Sequence, residues 1–469
     1  MRRTGPSAAS HTGGMAGATR TARSRGRLDD LVAATPDTRN RSADLIRVVS
    51  IGVVVLGHWT MAVLGFADGT FTGKNLLEMQ PDVQILTWVF QVMPLFFIVG
   101  GLTNGTSWVS ARRRGMSYAD WLRVKAVRLV RPALWFVAFW TLLPMVAVSA
   151  GLLSSGVARV GGEEVALPLW FLAVYLVAIA CVPVLHALHR RLGAWTLVAL
   201  AAVTSAIDNL RFGLHVPNVG ALNYLLVWGA VLELGFLWAD GTLRRRRWLP
   251  WAMAGGGLAT VGILVGFFDF PVSMIDLTHG SRTNVQPPSM ALLALATWQC
   301  GAMLLFEDAG NRWLQRPRAW RGAIVANSMV MTFYLWNMTA VVFAAVLLFP
   351  TGIAPQPEPL STAWWLLRPV WWLACAICIV PFMLAFRWAE RPVPVAPSSL
   401  RRGPSLALAV AGTAAAAVGL GMLAANAFPV PDEELRLPAL GVAAVVAGGL
   451  LLRVDPIAPL RRHEPLQQS

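Results

Sequence analysis

From Asp44 to Leu452 the chain alternates long apolar runs with short polar breaks. The runs lie near 43–66, 84–108, 130–151, 168–187, 192–207, 221–238, 250–268, 289–306, 324–349, 364–387, 405–425 and 437–452. A helix needs about 20 apolar residues to cross the hydrocarbon of a bilayer. The pattern therefore predicts an all-α fold, a polytopic transmembrane helix bundle of about 12 helices, with the fifth and the last short enough to be re-entrant. Ten helices make up a core over residues 43–395, and 396–455 adds a transmembrane hairpin. Residues 1–42 are rich in Arg, Ser, Thr and Gly and are expected to be a disordered basic tail, with a second tail at 456–469.

Composition narrows the class. The 469 residues are 56% hydrophobic and only 13% charged, where a soluble domain carries about 25%. Soluble enzymes, secreted disulfide scaffolds and disordered proteins are excluded. The formal net charge of +15 would suggest nucleic acid in a soluble protein, but here the cations cluster in short loops. Threading the chain with its N-terminus in the cytoplasm places 33 of the 39 basic residues on the inner side. That matches the positive-inside rule and predicts a multi-pass plasma-membrane protein with both termini cytoplasmic and no nucleic-acid partner. The four cysteines all lie in apolar runs, and Cys375-x2-Cys378 has no His or acidic neighbour, so no metal site is expected.

The first run carries the clearest chemistry. Arg47 and His58 are eleven positions apart, which on a helix returns to within about 20° of the same face. They would stand about 16 Å apart along the axis, with Arg47 at the inner boundary and His58 near mid-membrane. An ionisable residue at that depth is a functional candidate, and histidine suits proton exchange near neutral pH. A histidine that bonds a neighbouring helix is the plainer alternative. In the second run Pro94 is expected to kink the helix, while Gly100 and Gly101 permit close backbone approach. A basic loop then runs from Arg112 through Arg123, Lys125, Arg128 and Arg131, and cations converging there would suit a phosphorylated ligand.

In this order the motifs resemble the membrane acyltransferase 3 family, which includes O-acetyltransferases of surface polysaccharides. The resemblance rests on Arg47-x10-His58, Pro94-Leu-Phe-Phe97 and Arg128-Leu-Val-Arg131-Pro132, supported by Leu169-Trp170-Phe-Leu172, Tyr175 and Glu390-Arg391. It spans about residues 40–395, and the stretch from Asn223 to Gly241 is similar to actinobacterial members. It implies transfer of an acyl group, usually acetyl, from cytoplasmic acyl-CoA to a hydroxyl of a glycan, glycolipid or lipid-linked acceptor of the cell envelope. It further implies no bound cofactor, with acetyl-CoA as a co-substrate. His58 and Arg47 match the family's catalytic positions. Arg128 and Arg131, with Arg123 and Lys125 beside them, match its donor-binding element. Pro94, Phe97, Trp170 and Glu390 would line or support the site. His58 would act as general base or carry the acyl group itself.

The ninth run reads Tyr334-Leu-Trp336-Asn337 where similar proteins often end in histidine, which leaves His58 as the one histidine expected to be buried. Two other classes of membrane protein fit the sequence less well. A transporter or flippase would scatter acids through matched halves, which this chain does not. A lipid-linked glycosyltransferase would place an acidic pair in the first outer loop, where Asp68, Glu78 and Asp82 stand widely apart.

Overall fold

The structure is a computed structural model that describes residues 40–277, 282–393, 395, 402–431 and 436–460. Each apolar run becomes a helix. In chain order these are α1 (Arg41–Met61), α2 (Met93–Arg113), α3 (Tyr118–Ser149), α4 (Ser155–Ala166), α5 (Leu169–Leu192), α6 (Trp195–Asp208) and α7 (Asn223–Ala239). There follow α8 (Leu249–Phe267), α9 (Met290–Trp313), α10 (Pro317–Asn327), α11 (Val330–Leu348), α12 (Thr362–Phe386), α13 (Arg402–Asn426) and α14 (Arg436–Leu451). Among the described residues ten helical segments are long and apolar enough to cross a membrane. The shorter α6 and α14, of 14 and 16 residues, are the fifth and last runs of the sequence. The protein is an all-α, multi-pass helix bundle.

Small residues let the helices approach. A Cβ on Gly101 of α2 would lie 3.0 Å from Gly235 Cα of α7 and collide with the Leu232 carbonyl, so the two backbones touch there. The α13–α14 hairpin packs on α5 and α3. Between α2, α5, α7 and α11 lies an aromatic core in which Phe97 stacks on Trp228 at 4.1 Å and meets Phe171 and Tyr175 edge-on.

Several boundaries differ from the hydropathy pattern. The expected tail 1–42 lies outside the described residues up to position 39, but Arg41 and Ser42 already belong to α1. They are pinned there, because Ser42 Oγ donates to the Glu307 carbonyl of α9 at 2.8 Å and Asn40 donates to the Glu307 carboxylate at 2.6 Å. The first run does not stay helical to 66. It leaves α1 at Met61 for a hairpin of β1 (Ala62–Ala67) and β2 (Thr70–Asn75), antiparallel with Ala67 opposite Thr70. Asp68 and Gly69 form its turn, both with positive φ, the two-residue connection that matches strand twist.

Pro94 does not kink a helix either. The second run breaks at Gln91–Val92, and Pro94 sits in the first turn of α2, where its missing N–H costs nothing. Gln299 of α9 donates to the carbonyls of Trp88 and Gln91, so the freed backbone groups are satisfied at the break. The basic stretch after Tyr118 is helix rather than loop. Ser117 caps α3, accepting from the Asp120 N–H at 3.1 Å, and the helix then runs through all four candidate cations.

Candidate functional site

Because α1 is unbroken, Arg47 and His58 share a face, and that face meets α11. His58 is partly buried, and its Nδ1 lies 2.9 Å from Asn337 Oδ1. The amide is oriented by its own helix, since Asn337 Nδ2 donates to the Tyr334 carbonyl. With its NH2 so committed, Asn337 presents only oxygen to the histidine. Nδ1 therefore carries the proton and donates, and Nε2 keeps its lone pair. Among the described residues Nε2 has no hydrogen-bond partner, and it is not sealed in the interior. One residue on, Trp59 Nε1 donates to the Asn337 carbonyl at 3.0 Å, which holds α1 and α11 at the same level.

The start of α11 is held from below. Glu390 is buried, and its carboxylate accepts the Met331 N–H at 3.1 Å, the Thr332 N–H at 3.0 Å and the Thr332 hydroxyl at 2.9 Å. A carboxylate on the first turn answers both the free N–H groups and the helix dipole. Glu390 thus fixes the start of the helix that carries Asn337.

At the end of the bundle where the described chain begins and ends, the four cations of α3 divide between two faces. Lys125 and Arg128 turn toward α1, and Lys125 lies within electrostatic reach of both Arg128 and Arg47. Tyr175 of α5 feels Arg47 and Arg128 together, and its hydroxyl accepts from Asn104 of α2 at 3.2 Å. Arg128 is exposed and has no hydrogen bond or ion pair among the described residues. Arg47 reaches Asp44 and Asn327 at 3.4 Å. Arg47, Lys125 and Arg128 thus form a cationic cluster. Arg123 and Arg131 do not join it, contrary to the expected convergence. Arg123 Nε donates to the Leu452 carbonyl beyond α14 at 2.9 Å, and buried Arg131 donates to the Arg391 carbonyl at 3.2 Å. Both tie α3 to its neighbours.

The remaining candidates lie apart from both groups. Phe97 is wholly buried in the aromatic core, Trp170 meets Phe171 edge-on at its margin, and Pro94 opens α2. His58 is also not alone in being withdrawn from solvent. The His189 side chain is 11% exposed, with Nδ1 2.7 Å from Glu233 Oε1 and Nε2 3.3 Å from Asp240 Oδ2. Glu233 is fully buried in α7, and a buried carboxylate needs such a partner. Residues that sequence reasoning did not place are Asn337, seen there only as a departure, and Asn104 and Asn327. Their signal is faint, since one amide in an apolar run does not reveal which helix it faces.

A family model described as an acyltransferase domain matches residues 40–388. No curated protein and no solved structure matches the chain.

Proposed function

The chain belongs to the acyltransferase 3 family, and from that premise we propose that it is an O-acyltransferase of the plasma membrane that carries an acyl group from cytoplasmic acyl-CoA to a hydroxyl acceptor of the cell envelope. The observation that carries this reading is the His58–Asn337 pair, which leaves His58 Nε2 as an unpartnered base on the same helical face as Arg47.

Arg47, Lys125 and Arg128 supply the charge that the phosphates of CoA require, and guanidinium groups pair well with phosphate oxygens. The thioester arm then extends along α1 toward His58, about 16 Å from Arg47. Nε2 takes the proton of the acceptor hydroxyl as its oxygen attacks the thioester carbonyl. The C–S bond breaks, the leaving thiolate takes the proton back from the imidazolium, and the products are the ester and free CoA. Asn337 holds the imidazole in the tautomer this step needs and stabilises its charged form. Acetyl is the acyl group we favour, and a glycan or lipid-linked sugar the acceptor.

Mass spectrometry of envelope glycans and lipids tests the proposal. Cells lacking the protein should lose a set of species heavier by one acetyl group, restored by the wild-type gene and not by His58→Ala. An unchanged envelope, or full rescue by His58→Ala, overturns it.

A further inference from the structure

At the end of the bundle away from the cationic cluster, a cleft of about 410 Å³ lies between the β1–β2 hairpin, the end of α11 and α12. Two of its lining residues are tied to the His58 turn. The Ala62 N–H donates to the His58 carbonyl, Trp371 Nε1 donates to the Trp59 carbonyl at 3.1 Å, and both Ala62 and Trp371 line the cleft. Ala62 is four positions on from His58, a rise of about 6 Å along the helix axis.

Most of α12 faces outward, with Leu366, Val370, Leu373 and Ile377 exposed. Its buried residues Trp364, Arg368, Cys375 and Ile379 make a single stripe. Arg368 is out of place in that stripe. It lies within a membrane-spanning segment, is only 9% exposed, and has no carboxylate or hydrogen-bond acceptor among the described residues. It lies over the face of Trp364, with the guanidinium carbon 3.4 Å from the ring centroid. A buried arginine without a partner is costly unless a ligand supplies the anion. None of its nitrogens is sealed in the interior, and Arg368 lines the cleft. Exposed Lys74 of β2 adds a second cation to the wall, and Glu358 is an exposed carboxylate on the rim. Phe349 and Trp371 stack at 5.5 Å and offer a flat aromatic side.

We propose that this cleft is the acceptor site, and that it takes a membrane amphiphile with a phosphate next to its hydroxyl-bearing headgroup. The phosphate sits on Arg368 and Lys74, the headgroup lies against Trp371 above His58, and the tail leaves past Val370 and Ala374 along the outward face of α12. The assignment rests on the acyl-transfer reading above and adds the chemical class of acceptor.

The test measures binding and so does not depend on turnover. Delipidated full-length protein is titrated with farnesyl phosphate, farnesol and inorganic phosphate, and bound species are counted by native mass spectrometry. Farnesyl phosphate should bind at least tenfold more tightly than farnesol, and Arg368→Gln should erase that preference. Lys74→Gln, an exposed change that leaves the helices intact, should reduce it severalfold. CoA binding by the same variants checks folding, and its failure in the wild type would count against the acyl-transfer reading while leaving the cleft to be decided by the lipid data. Equal binding of farnesol and farnesyl phosphate overturns the proposal, as does an unchanged preference in Arg368→Gln. Inorganic phosphate that binds as tightly as farnesyl phosphate overturns it too, because the site would then select a bare anion.

Discussion

Replacing His58 by glutamine keeps a side chain able to bond Asn337 but removes the group that exchanges a proton near neutral pH. His58→Gln is expected to be about as inactive as His58→Ala, each losing roughly 10²–10⁴-fold in transfer rate with expression and insertion unchanged. An active His58→Gln protein would reduce the residue to a contact between α1 and α11. The two arginines of the Arg128-x2-Arg131 motif should part company in the same assay. Arg128→Ala should raise KM for acyl-CoA about ten- to a hundredfold, the loss of one charge-assisted contact. Arg131→Ala removes a partly buried bond to the Arg391 carbonyl, so it should lower the melting temperature and leave KM near wild type. Equal KM effects would return Arg131 to the donor site. The Arg47–His58 spacing was readable because helical periodicity alone puts both on one face. The division between Arg128 and Arg131 was not. Three positions differ by only about 60° around a helix, and the packing of residues 387–391 and of α14 decides which cation is enclosed.

Among the elements, α11 is the one whose position matters most to the site, because it carries Asn337 in the membrane and is capped by Glu390 at its first turn. Glu390→Ala leaves two buried N–H groups and a threonine hydroxyl without acceptors. It should cost about 1–3 kcal/mol in stability, read as a lower melting temperature in detergent. It should also slow transfer while the KM for acyl-CoA stays near wild type, since the carboxylate touches neither substrate. A variant with wild-type melting and rate would show that α11 is placed by packing alone. Hydropathy found every long helix because a buried run in lipid must be apolar and of spanning length. It passed over the elements outside the hydrocarbon, where that constraint lapses. The β1–β2 hairpin merges with the apolar end of α1, and its sequence mark is the Asp68-Gly69 turn alone. The amphipathic α4 has Gly161 and Gly162 within it, which weakens any helical signal. The break at Gln91–Val92 depends on Gln299, some two hundred residues away, and no local pattern could announce it.

At the scale of the molecule the proposed reaction has a direction, and direction follows from charge. With cytoplasmic acyl-CoA as the proposed donor, the end that carries Arg47, Lys125 and Arg128 would face inward, and the hairpin end with Arg368 and Lys74 outward. The basic residues argue the same way, with 33 of 39 at the inner end when both termini are cytoplasmic. Cysteine labelling decides it in a background where the four native cysteines are replaced by alanine. Thr70 sits exposed at the tip of the hairpin, and Arg245 is exposed between α7 and α8 at the opposite end. In intact cells Thr70→Cys should react with a membrane-impermeant maleimide and Arg245→Cys should not, with both reacting once the membrane is opened. Labelling of Arg245→Cys in intact cells would put the cationic cluster outside, away from acyl-CoA. The donor assignment would then fail even if His58 proved essential, because an essential base does not by itself set the direction of transfer.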